Sequence, residues 1–174
     1  MKIALVTLFF AASALAQNPT AVLPAACGPK DFNFDVKLDD TQHTPMQAEP
    51  GKAVVYFIQD DGPMGNHQHN TLRIGLDGAW AGAYKQNSYF TVSVEQGEHH
   101  VCANVQSKYS IGSLVVLAHF TVEARKVYYF RTRFIAGMTS LYPTPPYLEF
   151  DPIDSDQGKY LIATFPLSIS MPKK

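Results

Sequence analysis

Excess charge is what this sequence most conspicuously lacks. Lysine and arginine number 14 and aspartate and glutamate 15 among 174 residues, a formal net charge of −1 with histidine neutral. That balance leaves no basic footprint for nucleic acid and no attraction to an anionic membrane surface. Long apolar runs are also missing: beyond residues 3–10 no stretch approaches the ~20 residues a spanning helix needs, so no transmembrane segment is expected in the mature chain. There is no Gly-x-Ser-x-Gly elbow, and no motif sets a serine beside a base. No period of roughly 20 to 50 residues marks a repeat array. Cysteine occurs only twice, at Cys27 and Cys102.

What is present reads as an exported β domain. Residues 1–16 have the layout of a removable signal peptide: Lys2, an apolar core, then an Ala14-Leu15-Ala16 cleavage box. This predicts a periplasmic or extracellular protein, in which Cys27 and Cys102 pair as a disulfide. A competing reading puts a lipid on Cys27, because Leu23-Pro24-Ala25-Ala26-Cys27 has the outline of a lipobox. Pro24 and the polar spacer 17–20 count against it. Residues 17–31, with Pro19, Pro24 and Pro29, read as an extended arm, residues 32–167 as one domain and 168–174 as a frayed tail.

The domain is rich in strand signals. Phe32, Phe34, Val36 and Leu38 alternate with polar residues, as on a half-buried strand. Residues 52–59 are almost wholly apolar, as in a central strand covered on both faces. The organising stretch is 73–105, read as an antiparallel meander with turns at Asp77-Gly78 and Gln96-Gly97. Further strands are expected at 114–123, 126–135 and 147–150. The one helix candidate is 156–164, with Ser155 as N-cap, a stripe of Tyr160, Leu161 and Phe165, and Gly158 weakening it. The fold class is therefore all-β and mainly antiparallel, a β-sandwich or open barrel of about 7–9 strands with one short C-terminal helix.

Several of these segments resemble a bacterial family of secreted domains, domain-of-unknown-function family 2846. The likeness is carried by Gly51-Lys-Ala-Val-Val-Tyr56, Ile74-Gly-Leu-Asp-Gly78 with Gly82, Ser88-Tyr-Phe90, Glu95-Gln-Gly-Glu-His99 and Ala124-Arg-Lys-Val-Tyr-Tyr-Phe-Arg131. Arg125 stands where the family usually has glycine, and Gln96 where it usually has proline. The resemblance spans residues 49–167 and implies a PEGA-like β-sandwich, exported and associated with the bacterial envelope. It brings no catalytic or binding residues.

Chemistry is sparse. His67 and His69 lie two apart and, with His99 or His100, would supply three nitrogen ligands for zinc or copper; a polar surface loop explains them as well. His119 falls in an apolar run and reads as a strand residue. Glu149, Asp151, Asp154 and Asp156 fail the calcium-loop spacing and read as capping and solvated carboxylates. Tyr129, Arg131 and Arg133 share one strand face, which would stack on a sugar or clasp a carboxylate, and Trp80 beside its turn would serve as an anchor; a core or half-covered sheet position explains each of them as well. The expectation is a non-enzymatic binding or accessory module without a cofactor, its partner a protein or glycan of the envelope. The alternatives are a periplasmic metal-binding protein and, last, a hydrolase.

Overall fold

A computed structural model describes residues 24–43, 45–62, 70–106, 114–135 and 145–173. Within them lie ten strands and one helix: β1 (Phe34–Asp39), β2 (Lys52–Gln59), β3 (Thr71–Leu76), β4 (Ala79–Lys85), β5 (Ser88–Glu95), β6 (Gly97–Gln106), β7 (Val115–Val122), β8 (Val127–Ile135), β9 (Tyr147–Ile153), α1 (Ser155–Thr164) and β10 (Leu167–Pro172). They form a β-sandwich. One sheet has the order β1-β10-β5-β2-β8-β9 and the other β4-β3-β6-β7. Pairing is antiparallel except between β2 and β8 and at the single β5–β10 contact.

β2 is buried along almost its whole length because each face has a cover. Ala53, Val55 and Phe57 enter the core between the sheets, where they meet Leu72, Ile74, Val101, Val105 and Phe130. Val54, Tyr56 and Ile58 point outward, beneath Leu161 and Ile162 of α1. A continuous apolar run is the pattern such a strand requires.

Three expectations need correction. The stretch 73–105 is not a single meander: β3, β4 and β6 belong to the four-stranded sheet, while β5 pairs with β2 in the other. Asp77-Gly78 does make the tight hairpin, with φ of 51° and 90°. At Gln96, however, the chain passes from one sheet to the other. Alternation fixes which side of a strand is buried, and leaves open which strand lies beside it. The C-terminal segment is not a frayed tail, since Leu167–Pro172 runs antiparallel to β1 and brings the strands to ten. Its Ser-Ile-Ser composition has little intrinsic strand preference, so tertiary pairing supplies the structure.

The third correction concerns the helix. Asp154, not Ser155, is the N-cap: its carboxylate accepts from the backbone N–H groups of Asp156 and Gln157, both at 2.9 Å. Leu161 and Ile162 are buried, while Tyr160 turns to solvent at 66% exposure. Gly158 lies against the ring of Tyr129, where a Cβ would fall inside the ring. The glycine that lowers helix propensity is thus what lets the helix dock.

The arm, described from residue 24, covers the outer face of the four-stranded sheet. Cys27 is bonded to Cys102 of β6, with Cα atoms 5.1 Å apart. Gly75 admits the arm backbone; a Cβ there would stand 2.7 Å from the carbonyl oxygen of Ala26. Removing the bridge as Cys27→Ser/Cys102→Ser should cost roughly 4 kcal/mol by the chain-entropy model for a loop of this length, read from urea unfolding. Gly158→Ala should destabilise by about 1–3 kcal/mol through overpacking on Tyr129. The ~1 kcal/mol gain that helix propensity alone would give is the contrary result.

Candidate binding face

The alternation along β8 divides its residues as the sequence suggested. Tyr128, Phe130 and Phe134 join the core between the sheets, and Tyr129, Arg131 and Arg133 face outward. The three outward residues do not share one environment. Tyr129 is 6% exposed, stacked on Tyr56 with centroids 5.2 Å apart and roofed by α1. Its ring is an internal support for the helix and not a platform for a sugar.

Past the helix the face opens. Arg133 and Glu149 are register partners on β8 and β9, and Arg133 Nη2 lies 2.8 Å from Glu149 Oε2. The contact is ionic, without hydrogen-bond alignment at Glu149 Oε2. Arg131 Nη1 is 3.8 Å from Asp60 Oδ2, and Asp151 is its register partner on β9. Both arginine Nε atoms are buried and have no hydrogen-bond partner among the described residues. Arg131 and Arg133 thus line an outer strip with three carboxylates, Asp60, Glu149 and Asp151, beside them.

A polar network lies behind this strip at the end of the core. The Asp61 carboxylate accepts from the backbone N–H of Phe134 at 2.8 Å and from Gln59 Nε2 at 2.7 Å. Burial pushes its pKa up, against the pull of those two donors. Tyr84 and Thr132 hydroxyls are hydrogen-bonded to each other, and burial pushes the Tyr84 phenol up. Sequence reasoning did not reach this network. Two adjacent acids at a strand end were the one available signal.

Trp80 is on β4, in the other sheet, and is not brought to the arginines. Its indole N–H donates to the carbonyl of Pro29 at 2.8 Å, and Gly28 lies flat against the ring. On its other side the Arg73 guanidinium stands 4.3 Å from the ring centroid. Arg73 donates to Asn104 Oδ1 and to the carbonyls of Lys30 and Phe32. Trp80 therefore anchors the chain's own arm. With Cys27 Sγ in the disulfide, that sulfur has no valence left for a thioether-linked lipid.

Of the proposed metal ligands, His67 and His69 lie outside the described residues. Among the described residues, no group of three or more His, Cys, Asp or Glu is gathered around a common point. His99 has both ring nitrogens engaged, Nδ1 with Asp77 Oδ2 at 2.7 Å and Nε2 with the Glu95 carbonyl at 2.8 Å. Burial acts to lower the His99 pKa, but these two acceptors outweigh it and the net direction is up. For Asp77, burial acts upward and is outweighed by the His99 and His100 N–H donors, so its carboxyl is held down.

Comparison of the chain with family models, curated proteins and solved structures finds no match. No described helix is long and apolar enough to cross a membrane.

The Asp77–His99 pair gives a testable pH window. A raised imidazole contributes stability below its ordinary pKa of about 6.5 and loses it as pH climbs through the folded value. A lowered carboxyl contributes above its ordinary value of about 3.9 and loses it as pH falls through the folded value. Asp77→Asn keeps a residue type that tolerates the left-handed turn. The stability gap between wild type and this variant should be widest between about pH 4 and 6.5 and shrink on either side. A gap independent of pH would assign the pair no electrostatic role.

Proposed function

We propose that this chain is an exported, non-enzymatic β-sandwich of the bacterial envelope, an accessory module that binds a protein or glycan through the outer face of its six-stranded sheet. The observation that carries the proposal is the Arg131–Arg133 strip. Two guanidinium groups stand at i and i+2 on one strand, their side chains 17% and 38% exposed. Guanidinium suits planar recognition of carboxylates, the acidic groups of envelope peptides and polysaccharides.

Export is the second part of the reading. The disulfide fits an oxidising compartment, since such bonds persist outside the reducing cytosol. The signal-like residues 1–16 and the resemblance to secreted family 2846 support the same address. The protein purified from the envelope or medium should begin at Gln17, by N-terminal sequencing.

Binding is tested by co-sedimentation with purified peptidoglycan sacculi and with an acidic polysaccharide. Wild type is expected to bind at least one, and Arg131→Ala/Arg133→Ala to weaken that binding about tenfold or more, the loss of two charge-assisted contacts. The variant should retain the wild-type circular dichroism. Turnover of peptidoglycan, an ester or a glycoside that one substitution abolishes would replace this reading with a hydrolase.

A further inference from the structure

The four-stranded sheet carries a second exposed feature, well separated in the fold from the arginine strip. On β6 and β7, His100 and His119 are register partners, directly opposite each other across an antiparallel pair. Their neighbours fix the direction in which they point. Val101 and Ala118 enter the core, and His99 meets Phe120 on the inner side with ring centroids 5.9 Å apart. Period-2 alternation therefore sends His100 and His119 outward together. Their ring centroids lie 6.3 Å apart, with planes inclined at 45°.

We propose that His100 and His119 form a two-imidazole site for a first-row divalent cation, with Cu²⁺ bound most tightly. Directly opposed residues in an antiparallel pair have Cβ atoms roughly 4.5–5.5 Å apart. From that base, modest side-chain rotations bring one nitrogen of each ring to the ~2.0–2.1 Å that imidazole–metal bonds require. The side chain of His100 is 63% exposed, and its Nε2 lies 3.6 Å from Glu98 Oε1, a carboxylate two residues earlier on the same face. Glu98 serves as the outer acceptor that orients the His100 imidazole. Water fills the remaining positions. Imidazole ligation and the order of divalent affinities both favour Cu²⁺.

The scaffold under the pair is stiff. β6 is an interior strand between β3 and β7, and Cys102, two residues beyond His100, is fixed by the disulfide to the arm. Ligands on such a strand reach their metal-bound geometry with little loss of backbone freedom. The site uses neither His67-Gln-His69 nor His99; it shares only His100 with the histidines considered from sequence and pairs it with His119.

The test is calorimetric titration of untagged, disulfide-intact protein with Cu²⁺, in a non-chelating buffer and at mildly alkaline pH, because only unprotonated imidazole ligates. Expected is binding that weakens roughly tenfold or more in both His100→Ala and His119→Ala. His67→Ala/His69→Ala should leave that binding within about twofold, as for an independent site. Both exposed positions should tolerate alanine, and unchanged metal-free unfolding midpoints in the single variants verify that; if either shifts, the Gln variant at that position takes its place under the same criterion. Absence of Cu²⁺ binding, a smaller loss in either variant, or a loss confined to His67→Ala/His69→Ala overturns the proposal.

Discussion

The Cys27–Cys102 bond fixes the cover that one sheet of this sandwich needs. The outer face of the four-stranded sheet includes Arg73, Gly75, Cys102 and Asn104, all buried. A guanidinium and an amide are well solvated in water, so burying them requires that their hydrogen bonds be replaced. The arm turns them into an interior by laying its backbone carbonyls over Arg73 and its Gly28 over Trp80. Arg73 is then solvated by carbonyl oxygens, the Asn104 amide and an aromatic face instead of water. Burial still draws its pKa down. An arm tethered only by such contacts would exchange them readily for water. A covalent tie to the middle of β6 keeps the local concentration of those acceptors high. At the arm's other end, Gln106 of β6 exchanges two hydrogen bonds with the backbone of Phe34, at 2.7 and 2.8 Å, where the arm becomes β1.

The six-stranded sheet has a different cover with the same consequence. Here α1 and the segment before β2 lie over Val54, Tyr56, Ile58 and Tyr129. The backbone N–H of Met46 donates to Tyr56 Oη at 2.6 Å, and Tyr89 Oη donates to the Gln42 carbonyl at 2.8 Å. The two covers determine where chemistry can meet a partner. Trp80 and Tyr129, the aromatic groups most tempting as recognition elements, each lie under one of them. The open ground that remains includes the far end of β8 and β9 and the exposed pair on β6 and β7.

The sequence was most informative where local physics decides the outcome. The uninterrupted apolar run of β2, the Asp77-Gly78 turn, the inward and outward faces of β8 and the partnership of the two cysteines all follow from alternation, turn stereochemistry and compartment chemistry. It was silent where partners come from far along the chain. Nothing near β5 shows that it leaves its neighbours for the opposite sheet, and the short alternation of Leu167, Ile169 and Met171 with serines does not say that β1 will lie beside it. Likewise Arg73 reads as an ordinary strand arginine until the arm that carries Phe32, 41 residues earlier in the chain, is laid across it. Covering is a tertiary fact, and so is the accessibility of any binding residue.

The dipeptide Asp60-Asp61 shows how the same residues serve fold and site. Successive residues at a strand end point to opposite sides. Asp61 turns inward, where it holds Gln59 and the backbone of Phe134, and Asp60 turns outward beside Arg131. The inner acid ties the end of β2 to β8, while the spacing of the two arginines follows from the rise of β8 itself. The outer acid offsets part of their charge. With Glu149 against Arg133 and Asp151 opposite Arg131, the carboxylates outnumber the guanidinium groups by one. Attraction for an anionic partner must therefore come from the direction of the guanidinium donors rather than from a long-range field. Long-range steering depends on unbalanced charge and falls steeply with salt, whereas directed, half-buried hydrogen bonds are screened far less. A face of this kind selects by geometry at contact. That is consistent with a chain whose overall charge is too small to draw a partner in.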